Sequence, residues 1–324
     1  MTVDARILAA IRKPGGISGS DLAQQLGVSR AAVWARIEEL RGLGYEIEAG
    51  PHRGYRLVGV PDVLHGDDLM AQLPGEPIVG REIAVFEETT STSDVADRLA
   101  RDGVKEGMVV FAESQTRGRG RLGRRWHSPP RKGLWFTVLL RPNLRPSSAT
   151  QFVIAAAVAL CRAIREQTGL QPEIKWPNDL LVGGRKLAGI LTEMNAELDH
   201  LNYLLLGIGV DVNQDTEDYP AELRTFATSL RIETGSRVNR SALAVSMLRE
   251  LDRAYRAIQT GQFAQLTEEW YRQCGTLGHQ VAIRVGDRVL QGRAEALDDD
   301  GALLLRTQHG RIERVLGGDV TVIK

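Results

Sequence analysis

The sequence predicts an α+β protein in three parts: an N-terminal winged helix-turn-helix, a central mixed β-sheet with helices, and a small C-terminal β-barrel. Three observations predict it. Helical periodicity interrupted by a Gly-containing turn opens the chain, and two short strand-like runs follow. From residue 83 onward, strand-like and helical segments alternate. From residue 280 to the end, apolar and polar residues alternate with period two between turn signals. The expected boundaries are 1–60, 61–274 and 275–324.

Whole-chain properties narrow the function classes. A chain of 324 residues buries a sizeable core. Its 41 basic residues are balanced by 41 acidic ones, so any nucleic-acid contact must come from a local patch. Cys161 and Cys274 lie far apart without CxxC spacing, which argues against a disulfide framework or a zinc site. With no signal-peptide run and no stretch approaching the length of a membrane span, a cytoplasmic protein without a membrane partner is expected.

In the first part, residues 6–12 form a helix ended by Pro14-Gly15-Gly16. Ser20 is expected to cap a second helix over 21–26. Ser29 should cap a third over 30–43, whose Val33, Ile37 and Leu40 share one face. Strand-like runs at 45–49 and 55–58, joined by Gly50-Pro51-His52-Arg53-Gly54, make a wing. The later helix of such a module enters the major groove, and the hairpin touches backbone. Ser29, Arg30, Trp34 and Arg36, with Arg53 and Arg56 of the wing, are therefore the expected DNA-facing residues.

Residues 60–75 look like a linker with a short helix. A strand at 83–86 leads to Thr89-Thr90-Ser91-Thr92-Ser93-Asp94, where Ser91 and Asp94 fit a capping box. The same hydroxyls can line a pocket for a small polar head group. A strand at 108–112 then delivers the chain into Gln115-Thr-Arg-Gly-Arg-Gly-Arg-Leu-Gly-Arg-Arg-Trp126, with no acid between Glu113 and Glu166. Guanidinium forks grip phosphate and carboxylate oxygens, and glycines admit a ligand close to the backbone. Gly118, Gly120 and Gly123 imitate a dinucleotide fingerprint. That reading fails because Ser128-Pro129-Pro130 breaks the helix it needs and the ribose-binding acid is absent.

A strand at 134–140 and an apolar helix at 149–168 follow. Lys175-Trp176-Pro177-Asn178-Asp179-Leu180 comes next, then a hairpin tip at Gly183-Gly184 and a returning strand from Arg185. A further strand ends in Gly207-Ile-Gly209-Val-Asp211-Val-Asn213. Amphipathic helices at 241–257 and 263–274 place Trp270 and Tyr271 between domains. The last strands turn at Gly286-Asp287 and at 298–301.

Three of these stretches carry a resemblance over essentially the full chain. Gly118-Arg-Gly-Arg121 with Trp126, residues 175–180, and residues 185–191, in this order, resemble the catalytic domain of bacterial biotin protein ligases. With the winged helix in front, the chain resembles the bifunctional kind that is also the biotin-operon repressor. The resemblance implies a class II synthetase-like central domain and an SH3-like C-terminal barrel that closes the nucleotide side. It implies that biotin and Mg-ATP give biotinyl-5′-AMP, and that biotin then passes to a lysine of the biotin carboxyl carrier protein of acetyl-CoA carboxylase. It also implies operator DNA as a partner and a homodimer in the ligand-bound state.

Carried over position by position, Lys186 and Arg121 are the catalytic pair. Ser91, Thr92, Ser93, Gln115, Arg119, Gly120, Arg121, Lys186 and Gly189 bind biotin. Arg119, Arg121, Arg124, Trp126, Lys175, Asn178 and Asp211 bind ATP or the adenylate, with Trp126 stacked on adenine. Asp179 is a magnesium ligand. Two positions depart from the family pattern: Ser93 and Asp211 each stand where an asparagine is usual. The alternatives are a lipoate-type ligase and a non-catalytic transcription factor that senses a small molecule.

Overall fold

A computed structural model describes residues 2–50 and 54–323, so the wing tip at 51–53, with Arg53, lies outside the described residues. Helix α1 (Val3–Ile11) starts earlier than its apolar pattern suggests, because the Thr2 hydroxyl accepts the Ala5 amide at 3.1 Å. Helix α2 (Gly19–Leu26) is capped by Ser18, not Ser20: Ser18 Oγ accepts the Asp21 amide at 3.1 Å. Helix α3 (Arg30–Gly42) is capped by Ser29 as expected, with Ala32 N at 3.1 Å. Ile7, Leu8, Ile11, Leu22, Val33, Ile37 and Leu40 meet in one small buried core. Strands β1 (Glu46–Gly50) and β2 (Gly54–Gly59) pair antiparallel beside it.

The segment after the wing is more than a spacer. Helix α4 (Gly66–Gln72) buries Leu69 in the core of the central domain and rests Ala71 on that of the winged helix. Arg12, just past α1, ion-pairs with the buried Asp68.

The central domain runs β3 (Glu82–Thr89), α5 (Thr92–Arg101), β4 (Met108–Gln115), β5 (Gly133–Leu140), α6 (Ala149–Thr168), β6 (Glu173–Lys175), β7 (Asp179–Val182), β8 (Arg185–Ala196) and β9 (Leu201–Asp211). Helices α7 (Leu230–Thr234), α8 (Arg240–Gln259) and α9 (Phe263–Gln273) complete it. The strands form one mixed sheet in the order β3-β4-β5-β9-β8-β7-β6. Only the β3–β4 pair is parallel, with α5 as its crossover.

Strand alternation divides the labour between the two faces. On β9, Leu204, Leu206, Ile208 and Val210 enter the main core, under α6 and α8. Tyr203 and Leu205 point to the other face, where α5 covers them with Ala96 and Ala100. The segment 146–168 is, by length and composition, long and apolar enough to cross a membrane, contrary to the expectation that no such stretch exists. Its apolar residues are spent on this core: Phe152, Ile154, Ala157, Leu160 and Ile164 are all buried there.

Beneath β4 lies a fully buried ion pair. Arg240 Nη1 donates to Glu113 Oε2 at 2.5 Å, and Glu113 Oε1 accepts the amide of Leu64 at 2.8 Å. Arg240 also donates to the Asp62 carbonyl at 2.9 Å. The chain leaving the winged helix is therefore anchored at the root of the arginine loop.

The last part holds β10 (Gln280–Val285), β11 (Arg288–Leu297), β12 (Leu303–Thr307), β13 (Ile312–Val315) and β14 (Asp319–Val322). They form one antiparallel sheet in the order β13-β12-β11-β10-β14. Gly286 turns β10 into β11 at φ 58°, where a side chain would be strained. Val281, Ile283, Leu303 and Leu305 extend the central core without a break, and the Tyr271 hydroxyl accepts the Leu297 amide at 2.8 Å.

Candidate active site

The cleft follows from the same alternation. Beyond the N-terminus of α5, the face carrying Tyr203 and Leu205 continues on β9 as Gly207, Gly209 and Asp211. Gly189 of β8 lies opposite Gly209. Three glycines on one face leave bare backbone where side chains would otherwise meet a covering helix. The result is a cleft of about 420 Å³ whose lining includes Ser91, Thr92, Ser93, Gln115, Arg119, Gly120, Arg121, Arg124, Trp126, Lys175, Asn178, Asp179, Lys186, Gly189 and Asp211. Every small-molecule site residue named from the sequence is therefore on one wall or another of a single cavity.

One end is built of hydroxyls and amides. The Thr92 amide donates to Gln115 Oε1 at 2.9 Å, and Gln115 Nε2 donates to Ser128 Oγ at 2.9 Å. The capping box does not form. Ser91 Oγ takes the Ser93 amide, and the Asp94 carboxylate takes the Thr90 hydroxyl at 2.9 Å and Arg119. Although partial burial works against it, Arg119 and Thr90 hold the Asp94 carboxyl below its ordinary value.

The floor carries an indole. A Cβ on Gly209 would come within 2.5 Å of the Trp126 ring, and one on Gly189 within 2.8 Å, so both glycines make room for it. Lys186 Nζ stands 5.3 Å from the centre of that ring and 2.6 Å from Asp179 Oδ1.

Arg121 Nη1 donates to Asn178 Oδ1 at 2.9 Å. Asn178 is itself fixed to β8 by Nδ2 to the Ile190 carbonyl at 2.9 Å. Burial lowers the Arg121 guanidinium from its ordinary value, so a ligand anion there gains a partly desolvated cation. Lys175, at the end of β6, lines the same wall with no ion pair among the described residues.

The arginine loop finds acids that its own neighbourhood lacks. Arg119 bridges Asp94 of α5 and Glu193 of β8, the latter at 2.9 Å. Arg124 pairs with Asp319 of β14. No helix follows the glycines; residues 121–123 make a single tight turn, with Leu122 at φ 56°. The sequence reading missed two parts of the wall, Tyr219 with 223–227 and Gly318-Asp319-Val320. Neither carries a motif. They reach the cleft because the 226–228 stretch exchanges backbone hydrogen bonds with Lys186 and because residues 274–276, leading into the C-terminal sheet, run beside β6.

The winged helix presents a second surface. Arg30, Trp34 and Tyr55 line a cleft between α3 and the wing, with Trp34 58 % exposed. Arg36 is less free than its position on α3 suggests, since it pairs with Glu39 at 2.7 Å and Asp4 at 3.7 Å. Arg56 pairs with Glu48 at 2.8 Å. Ser29 spends its hydroxyl on the helix cap.

Three family matches cover the three parts. Residues 5–56 match the HTH domain, 85–211 the biotin/lipoate A/B protein ligase family, and 276–322 the biotin protein ligase C-terminal domain. The bifunctional ligase/repressor BirA of Bacillus spizizenii is 38 % identical over 304 residues, 94 % of this chain and 93 % of that protein. The chain belongs to the bifunctional biotin protein ligase/repressor family. The Escherichia coli BirA is 29 % identical over 99 % of this chain and 97 % of its own. The biotin protein ligase from Aquifex aeolicus in complex with biotin and ATP superimposes with a TM-score of 0.63 at 28 % identity. That match covers 75 % of this chain and 98 % of the other.

Within this ligase family, the two departures have a structural setting. Ser93 turns its hydroxyl to Thr137 at 3.2 Å. Asp211 is 5 % exposed, accepts Gln214 Nε2 at 2.6 Å and has the Tyr219 hydroxyl beside it. Burial raises its carboxyl well above the ordinary value, against Tyr219, Gln214 and Lys186, which all lower it. The raised value lessens the charge that a free carboxylate would set against phosphate at this position.

Proposed function

We propose that this cleft activates biotin with ATP and that the winged helix makes the same chain a biotinyl-5′-AMP-dependent repressor. The observation that carries the reading is the polarity of one cavity. Hydroxyls and an amide stand at one end for an uncharged polar ring, and Lys186 and Arg121 stand at the other for a carboxylate and a phosphate. A biotin carboxylate oxygen attacks the α-phosphorus, the bond to the β-phosphate oxygen breaks, and pyrophosphate leaves. Two anions must meet for this, and Lys186 and Arg121 neutralise the charge that builds between them. An acceptor lysine amine then attacks the biotinyl carbonyl carbon, AMP departs with the bridging oxygen, and the amine loses a proton.

In this reading Ser91, Thr92, Ser93 and Gln115 hold the ureido ring. Arg119, Gly120, Arg124, Trp126, Lys175, Asn178 and Asp211 enclose the adenylate, and Gly189 keeps the floor open. No group of three or more His, Cys, Asp or Glu able to cage a metal occurs among the described residues, so magnesium has no all-protein site there. Mg²⁺ enters with the phosphates of ATP, and Asp179, beside Lys186, is its carboxylate ligand.

The acceptor is the carboxyl carrier protein, and the DNA partner is a palindromic operator bound by a homodimer that forms through the exposed central sheet. The division of labour is 1–60 for DNA, 61–274 for catalysis and 275–324 for closing the nucleotide side.

Biotin-dependent ATP–pyrophosphate exchange tests the reading. Wild type exchanges; Lys186→Ala and Arg121→Ala each lose about 10²–10³-fold. Exchange that responds to lipoate and not to biotin turns the assignment to a lipoate ligase, and no exchange with either acid leaves a sensor.

A further inference from the structure

The hydroxyl end of the cleft rests on a residue that no motif marks. Thr137, midway along β5, is fully buried. Its Oγ1 lies 2.8 Å from Thr92 Oγ1 and 3.2 Å from Ser93 Oγ. Its partner on β9 is Gly207, where a Cβ would come within 3.2 Å of Ser93 Oγ. The glycine therefore lets the two hydroxyls meet. The result is a chain of three hydroxyls, with Thr137 in the middle, Ser93 at the cleft wall and Thr92 against Gln115.

Each hydroxyl carries one proton, so a chain along which Thr137 donates is polarised in one of two senses. In one, Ser93 donates to Thr137, Thr137 to Thr92, and Thr92 to Gln115 Oε1. The last of these contacts is long, at 3.3 Å, and that oxygen already accepts the Thr92 amide at 2.9 Å. The cleft then faces only lone pairs of Ser93. In the other sense, Thr92 donates to Thr137 across the 2.8 Å contact, Thr137 donates to Ser93, and the Ser93 proton points into the cleft. A ligand carbonyl oxygen selects this second sense, because the three bonds then reinforce one another.

We propose that Thr137 is a positioning and specificity-determining residue that holds Ser93 as the hydrogen-bond donor to the carbonyl oxygen of a cyclic urea. The proposal rests on the reading that the ureido ring of biotin occupies this end. Thr137 stands behind the cleft wall and acts through Ser93. It supplies the direction that an asparagine amide at position 93 would supply by itself.

The probe is 2-iminobiotin, in which a guanidine replaces the urea. Once protonated it donates and cannot accept, so a Ser93 proton aimed at the cleft disfavours it. Isothermal titration of the full chain should show wild type preferring biotin. Thr137→Val should weaken biotin about tenfold while changing 2-iminobiotin little, so the ratio between the two narrows. Thr137→Ser should restore the ratio. Ser93→Ala should narrow it equally, and adding Thr137→Val to Ser93→Ala should narrow it no further. Equal losses for both ligands, or no loss for biotin, overturn the proposal. So does a Ser93→Ala variant that keeps the wild-type ratio, which decides the matter even where Thr137→Val does not fold. Gln115→Ala separates the two levels: if it leaves biotin binding intact, the ureido ring does not lie at this end and the functional reading itself fails.

Discussion

Single side chains in the cleft do two kinds of work, touching ligand and holding what touches it. Asn178 belongs to the second kind, since its carbonyl oxygen receives Arg121 while its amide is spent on β8. Asn178→Ala should release the guanidinium and slow pyrophosphate exchange about 10- to 100-fold. Thermal stability should barely change, and an unchanged exchange rate would show that Arg121 is placed by its loop alone. Asp211 makes a pH-dependent prediction. Its folded-state carboxyl is raised, so the stability it contributes is complete below the ordinary carboxylate value of 3.8. That contribution is lost as pH rises toward and through the raised value. Asp211→Asn does not titrate, so its melting temperature relative to wild type should climb as pH rises above 3.8. Parallel pH profiles would place the carboxylate, charged, in a more polar setting than its burial indicates.

At the scale of elements, the cleft is a consequence of strand alternation. Strand β9 gives its large residues to the core under α6 and its glycines to the opposite face, so the same segment builds the core and opens the cleft. Gly209→Ala should displace the Trp126 indole and cost roughly 1–3 kcal/mol through overpacking. The displacement should appear as altered tryptophan fluorescence together with weaker biotin binding. Unaltered fluorescence would mean that the loop carries Trp126 elsewhere in solution. The elements were largely legible in the sequence because their periodicities were strong, as with α6 and the strands on either side of the arginine loop. Helix starts were less so. Ser18 and Ser20 are equally good caps by type, and only the path of the chain into α2 selects Ser18.

Across the whole molecule, ion pairs between residues distant in the chain hold the parts in place, and they differ in weight. Glu113 and Arg240 are fully buried, and Glu113→Ala leaves that buried guanidinium with the half-exposed Asp62 as its remaining acid partner. The expected loss is about 3–5 kcal/mol by urea denaturation. A loss below about 1 kcal/mol would mean that water reaches the site. Arg124 and Asp319 are a half-exposed pair, worth less than about 1 kcal/mol to stability. Asp319→Ala should therefore leave the melting temperature almost unchanged while speeding tryptic cleavage within 117–125, because the arginine loop loses its tie to the C-terminal sheet. Equal cleavage rates would remove that tie from the account.

The sequence by itself determined the order of the three parts, the arginine–glycine loop, the Lys175–Asp179 stretch and Lys186. Each is written in local spacing and residue type. Only the tertiary structure decided which acids meet the loop arginines, since Asp94, Glu193 and Asp319 come from three separate elements. It also decided that Asp179 faces Lys186, that Asp211 is buried among Gln214 and Tyr219, and that Thr137 stands behind Ser93. These are contacts between residues distant in the chain, and burial and pairing at such range are set by how the sheet folds and what packs on each face.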